Sequence, residues 1–206
     1  MRWFHDYNLY DGPVMEALEE MKQRGWVKWT GVGGTTAHEM AKVIDTGVFD
    51  VVQTAFNYSL LWQEARYEIF PTAKKHDMGI ICSAPLQQGS LAVRRGELIE
   101  NGAPWISKPR REQFKALYSF LDEIGMSIVE LSLRFVLSNP DIDCVLVGAK
   151  NLKEITETVA YSEKGPLSED ILKRIEEIYM MVPFRPTLEP ILLPWGDTRP
   201  DIGWIV

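Results

Sequence analysis

Ten residues carry the most suggestive chemistry in the chain: residues 82–91, CSAPLQQGSL. The run begins apolar and breaks into a proline, two glutamines, a glycine and a serine, types that end a buried strand and can turn backbone N–H groups outward. Backbone amides gathered in such a turn bind phosphate, so this stretch is suited to the phosphates of a dinucleotide. Comparable residues follow other apolar runs, at 5–6 (His-Asp), 31–35, 53–57 and 148–151. Glycines there let the backbone approach a ligand closely. Glutamine amides there can pair with a carboxamide, because each offers a donor and an acceptor in one plane. The set suits an anionic ligand that also bears an amide. No GxGxxG follows a strand, which counts against a Rossmann site. His5, His38 and His76 lie far apart, with no HExxH or CxxC spacing, so a metal site has no support.

The elements that must position these residues alternate strand and helix. MRWFHD (1–6) reads as a short strand. DGPVMEALEEMKQRG follows as a helix with Pro13 in its first turn, Val14, Leu18 and Met21 on one side and Gly25 as its stop. WVKWTGVGG is strand-like. TTAHEMAKVIDTG is a helix with Thr36 and Glu39 in capping-box spacing and an apolar stripe of Met40, Val43 and Ile44. FDVVQTAF is a third strand, followed by a helix over about 64–76, and MGIICSA is a fourth. Residues 85–109 form the longest irregular stretch, and a loop of that length in a compact domain is functional or mobile. Two helices follow, REQFKALYSFLDEIG and IVELSLRFVLSNP, the second opened by Ser127 and Glu130. DCVLVGA is a fifth strand, and helices follow from Leu152 and over about 169–181.

Five strands, each trailed by a helix and with no hairpin signals between them, predict an α/β fold with a parallel sheet and right-handed crossovers. A doubly wound open sheet and a piece of a (β/α)8 barrel both satisfy that pattern. Both place ligands at the carboxyl ends of the strands, where the residues above lie.

Composition narrows the partners. The 206 residues are 46% hydrophobic with a mean hydropathy of −0.13, enough for a sizeable core. The formal charge is −7 and the basic residues are scattered, so neither a nucleic-acid stripe nor a membrane patch is expected. No run reaches the ~18 apolar residues of a membrane span, and residues 1–10 are too polar for a secretory signal. A cytoplasmic location is expected. Cys82 and Cys144 lie in apolar runs and read as reduced core thiols.

Four segments resemble the aldo-keto reductase family in order and spacing. EALEEMKQRGWVKWTGVGG looks like the helix and strand that the family ends with Gly-Val-Ser-Asn, and FDVVQTAFNYS like its Asp-Val-Val-Gln strand. GIICSAPLQQGSL looks like its Ser-Pro-Leu-x-x-Gly turn, and LSLRFVLSNPDIDCVLVGAKNLKEITET like its last strand and cofactor-clamping helix. The resemblance implies a (β/α)8 TIM barrel whose fourth to eighth strands these are. It is incomplete, lacking the first three βα units, which in the family supply the catalytic Asp, Tyr and Lys. Residues 1–182 would form this partial barrel, and 183–206 an extended C-terminal tail packed on it.

The resemblance also implies residue roles. His5 matches the family's catalytic histidine, which orients the substrate carbonyl; the bland reading is a histidine bonded to a loop. Gln53 matches the glutamine that binds the nicotinamide carboxamide. Gly33 and Gly34 stand where the family often has Ser-Asn, removing one side-chain contact. Ser83 occupies the position of an aromatic ring that many members stack on the nicotinamide. Leu86, Gln88 and Ser90 would surround the pyrophosphate through backbone N–H groups. In the last clamp, Gly148 and Ala149 replace the family's common Lys-Ser, followed by Lys150, with Glu154 near the family's Arg and Thr158 one turn on. A carboxylate would repel a 2′-phosphate and accept a hydrogen bond from a free 2′-hydroxyl, which tilts the cofactor, NAD or NADP, toward NAD. Glu154 also has capping-box spacing from Asn151 and can simply close the helix start.

Arg94, Arg95, Lys108, Arg110 and Arg111 flank the long loop and read as a solvated face or as attraction for an anionic cofactor. Trp3, Trp26, Trp29, Phe56, Tyr58 and Trp62 read as core, with a substrate pocket as the alternative.

The implied activity is NAD(P)-dependent hydride transfer between nicotinamide and a small carbonyl, sugar or alcohol. One rival is a non-catalytic nucleotide-binding or regulatory subunit, or an inactive fragment. In that case another chain would complete the barrel by pairing with its open strand edges. A phosphate-binding barrel lyase or isomerase is a further rival, but it needs a Lys or a carboxylate pair at the strand ends.

Overall fold

A computed structural model describes residues 12–103, 105–186 and 189–191. The first expected strand and His5 lie outside the described residues, as do Trp3 and the tail beyond 191. Within them run α1 (Pro13–Gln23), β1 (Gly31–Gly34), α2 (Ala37–Ile44), β2 (Val51–Ala55), α3 (Ile69–Lys75), β3 (Gly79–Ser83), α4 (Gly96–Asn101), α5 (Lys108–Ile124), α6 (Ile128–Leu137), β4 (Cys144–Leu146), α7 (Leu152–Glu163) and α8 (Glu169–Tyr179). Short 3-10 turns sit at Glu64–Arg66 and Gln87–Gly89. No helix among the described residues is long and apolar enough to cross a membrane.

The four strands form one parallel sheet in the order β1-β2-β3-β4. Side chains on a strand alternate between faces, and here the two faces differ sharply. On the outer face Val52, Thr54, Ile80 and Cys82 are buried beneath helices. On the inner face Gly33, Gln53 and Cys144 stand in register with Ile81 in one row, and Ala55, Ser83 and Leu146 in the next. Gly33, Gln53, Cys144 and Leu146 are exposed. Parallel sheets are ordinarily covered on both faces. Only the helical side of this one is packed by the described residues.

The core therefore lies between sheet and helices. Met40, Val43 and Ile44 of α2 are fully buried, as the apolar stripe predicts, and Leu117, Leu121, Leu131 and Val136 carry the same packing through α5 and α6. Burying each such side chain contributes about 1.5–3 kcal/mol, so Leu117→Ala is expected to cost about 2–5 kcal/mol. Gly31 is required by close approach, since a Cβ there would lie 2.8 Å from the Val51 carbonyl oxygen.

Local signals are mostly met. Pro13 opens α1, Ser127 Oγ accepts from the N–H of Glu130 at 3.0 Å, and Ser107 caps α5 three residues earlier than the expected helix. Gly125 ends α5 at φ 65°. Several expectations need correction. Thr36 makes no side-chain cap bond, and the 64–76 helix is broken into a 3-10 turn and α3. The stretch 85–109 is not wholly irregular, because α4 and a 3-10 turn lie within it. Cys82 is a core thiol, pushed up to about 12 by burial, but Cys144 is exposed because it faces the uncovered side of the sheet. Tyr58 and Trp62 are core, whereas Trp26 and Trp29 are 65% and 62% exposed, each beneath a cation. Arg110 is not on a solvated face: it is 1% exposed.

Candidate functional site: the carboxyl ends of the parallel strands

Because all four strands run parallel in one sheet, the turns that leave them emerge at one end. In particular, β3 and β4 are neighbours, with Ser83 opposite Leu146. The turn after β3 and the loop into α7 are thus side by side.

Gln53 sits mid-strand on the inner face. Its amide Nε2 donates to Ser83 Oγ at 3.3 Å, and that hydroxyl donates to the Thr54 carbonyl at 3.2 Å. The hydroxyl therefore holds the amide in place. Gly33 lies beside Gln53 in register, and a Cβ added there would meet Gln53 Cβ at an ordinary 3.5 Å. With only hydrogen at Gly33, the flank of the amide is open.

The turn after β3 is wound tightly. The carbonyl of Leu86 accepts from the N–H groups of Gly89 at 2.9 Å and Leu91 at 3.1 Å. Gln87 and Gln88 both have positive φ, 46° and 51°, a region few non-glycine residues occupy outside functional or over-determined turns. Gln88 is exposed at the tip. Ser90 is buried, with its N–H at 3.1 Å and its Oγ at 2.9 Å both directed to the Gln87 carbonyl, so it braces the turn from inside.

Gln87 was not singled out by sequence reasoning, yet it ties two turns together. Its amide donates to the Phe56 carbonyl at 3.0 Å and to Ser59 Oγ at 3.1 Å. Phe56 itself has φ 63°. Adjacent glutamines in a polar turn give no hint of which one points inward.

At the last loop, Gly148 is exposed, and a Cβ there would meet nothing within 4 Å. The Glu154 carboxylate accepts from the N–H of Lys150 at 2.8 Å and from the Asn151 amide at 3.1 Å, while Asn151 Oδ1 accepts from the N–H of Glu154 at 3.0 Å. This is the reciprocal cap that the spacing allows. Thr158 donates to the Glu154 carbonyl at 2.8 Å and is half-buried one turn along α7. The cap leaves the carboxylate charged and at the surface.

A second buried polar group escaped sequence reasoning. Arg110 donates to Glu189 at 2.9 Å and to the Leu61 carbonyl at 3.0 Å, with its guanidinium 4.7 Å from the Trp62 ring centre. Trp62 Nε1 also donates to Glu189. Glu189 lies 79 residues from Arg110, a separation no local pattern can reveal. A separate groove of about 590 Å³, lined by Tyr58, Arg66, Phe70, Phe135, Leu172 and Glu176, lies in the helical layer away from the strand ends, with Arg66 and Glu176 paired at 2.7 Å. Burial pushes the Tyr58 hydroxyl up to about 12.

Residues 3–180 match the aldo/keto reductase family. Among curated relatives, an aldo-keto reductase of Pseudocercospora fijiensis is 25% identical over 204 residues, covering 86% of this chain and 68% of that protein. L-galactose dehydrogenase of Arabidopsis thaliana is 27% identical over 174 residues, covering 80% of this chain and 52% of that enzyme. In three dimensions the chain is similar to an aldo-keto reductase of Bacillus halodurans solved in its holo form, with a TM-score of 0.63, 20% identity, and coverage of 82% of this chain and 57% of that one. The chain thus spans between about half and two thirds of the proteins it matches, and its α/β fold with a parallel sheet matches aldo-keto reductase TIM-barrel structures. With the match running from residue 3 to residue 180, the chain belongs to the aldo/keto reductase family.

Proposed function

We propose that this chain carries the dinucleotide-binding part of an NAD(P)-dependent oxidoreductase that moves a hydride between a nicotinamide and a carbonyl or alcohol. The observation that carries the reading is the Gln53–Ser83 pair. An exposed amide is held by a buried hydroxyl on the inner face, beside a glycine and a left-handed turn.

The residues present fit such a cofactor. Gln53 would pair with the carboxamide of the nicotinamide, its amide held by Ser83, and Gly33 leaves room beside it. Leu86 and Gln88 would carry the pyrophosphate, with Ser90 bracing the turn from inside because its N–H and hydroxyl are both given to the Gln87 carbonyl, and Gly148, Lys150, Glu154 and Thr158 would border the adenosine. When bound, the cofactor supplies hydride chemistry. The chain's contribution is to fix the ring against the sheet and to exclude water from one side. His5 would orient the carbonyl.

Glu154 supports NAD over NADP through its surface charge. The exposed inner face and the unpaired outer edge of β4 support a further proposal: additional βα units close the barrel over Gly33, Gln53, Cys144 and Leu146 and bring the proton donor that the described residues lack. The relatives' greater length supports it too. Fluorescence titration of the folded chain with NADH and NADPH tests the cofactor reading. Quenching that saturates supports it, and no response to either dinucleotide contradicts it. Binding without turnover of aldehydes or sugars would favour a non-catalytic nucleotide-binding subunit.

A further inference from the structure

Beyond Val182, which is buried, charge holds the segment after α8. Arg185 is its pivot. Its Nε donates to Glu64 at 3.0 Å, its Nη1 to the Pro190 carbonyl at 3.2 Å and its Nη2 to the Phe56 carbonyl at 3.1 Å. Its guanidinium lies 5.4 Å from the Trp62 ring centre, and Arg110 also lies over that ring, at 4.7 Å. Four residues further on, Glu189 is buried against Arg110 and Trp62.

The Phe56 carbonyl is where this strap meets the strand ends. Phe56 directly follows β2, three residues after Gln53, and holds a left-handed backbone. Its oxygen has two donors, Arg185 from the strap and Gln87 from the turn after β3. A charged donor forms a stronger hydrogen bond than a neutral one, and two donors on one carbonyl fix the peptide's orientation. Removing the guanidinium leaves the Phe56 carbonyl held by Gln87 alone, and that contact anchors a turn whose own backbone is strained at Gln87 and Gln88.

We infer that Arg185 is a positioning residue: through the Phe56 carbonyl, the strap anchored at Arg185 and Glu189 holds the Gln87 turn in its left-handed shape. This deepens the dinucleotide reading and rests on it for its consequence, but not for its geometry. The linkage runs both ways, so a ligand in the turn also favours the docked strap.

The test is amide hydrogen exchange by mass spectrometry on the full chain, comparing wild type with Arg185→Met, Arg185→Lys and a remote ion-pair control, Lys164→Met. Arg185→Met is expected to speed exchange over residues 86–91 at least tenfold while β2 and β3 keep their protection. Arg185→Lys keeps the charge but loses the planar fork that spans Glu64 and Phe56, and is expected to give a smaller rise of about threefold. Lys164→Met should leave the turn as in wild type. Wild-type exchange at 86–91 in either folded Arg185 variant, or an equal rise in the control, overturns the inference. NADH affinity, measured in parallel, should fall three- to tenfold in Arg185→Met. A wild type that binds no NADH refutes the cofactor reading alone, since the exchange result stands without ligand.

Discussion

Gln53 and Ser83 meet across two parallel strands, the amide donating to the hydroxyl at 3.3 Å, and the hydroxyl in turn donates to the Thr54 carbonyl at 3.2 Å. Among the described residues the amide is held on one side only. Gln53→Ala should therefore leave the fold intact, because Gln53 is exposed and Ser83 retains Thr54. Loss of one or two hydrogen bonds to the carboxamide, about 1–2 kcal/mol, should weaken NADH binding by roughly five- to thirtyfold. Calorimetric titration, with a urea midpoint as the fold control, checks this.

Glu154 carries both a cap and a charge, and substitution can separate them. Glu154→Gln keeps an acceptor for the Lys150 N–H but removes the charge, so it should narrow any NADH preference with little change in stability. Glu154→Arg should shift preference toward NADPH and also lose the cap, at about 1 kcal/mol. Paired titrations with the two dinucleotides read the shift. An unchanged ratio in both variants would leave the cap as the residue's whole role.

The Arg110–Glu189 pair is fully desolvated, and breaking one side strands a charge in the core. Glu189→Ala should destabilise the chain by about 3–5 kcal/mol, whereas replacing both partners with apolar residues of similar size should cost much less. Urea unfolding of the single and double variants tests the difference. A double variant as unstable as the single one would contradict it.

Glu130 gives a pH signature. Burial works to raise its carboxyl, but hydrogen bonds from Lys164 at 2.9 Å and Arg134 at 3.0 Å outweigh that and hold it below the ordinary carboxylate range. With the folded value depressed, its stabilisation is complete above the unfolded value of about 4.3 and is lost as pH falls through the folded one. Glu130→Gln should lower the urea midpoint at pH 7, with the gap closing as pH drops below about 4. A gap independent of pH would rule the ion pairs out as the cause.

The order of elements was legible because apolar periodicity and caps act locally. Pro13, Ser127 and the stripe of Met40, Val43 and Ile44 behave as read. The sheet's parallel sense followed from the absence of hairpin turns. What failed depends on partners distant in sequence. Arg110 looks like one more basic residue of a polar loop until Glu189 is brought to it. Cys144 sits in an apolar run, yet the face that run presents is uncovered. Trp26 and Trp29 read as core by type, although each is mostly exposed and covered only by the cation of a near neighbour in sequence. Gln87 and Gln88 are identical in type, and only the left-handed turn decides that one is buried against Phe56 and the other is exposed.

The most direct test of the dinucleotide site is an NMR titration of the isotopically labelled, folded chain with NADH. Shifts should gather at the Gln53 side-chain amide, at the backbone amides of 86–90 and at those of 150–158, all at the carboxyl ends of the strands. Saturating NADH that leaves those signals unmoved, or that moves only residues such as Arg66, Phe70 and Leu172 in the groove among the helices, would contradict the account.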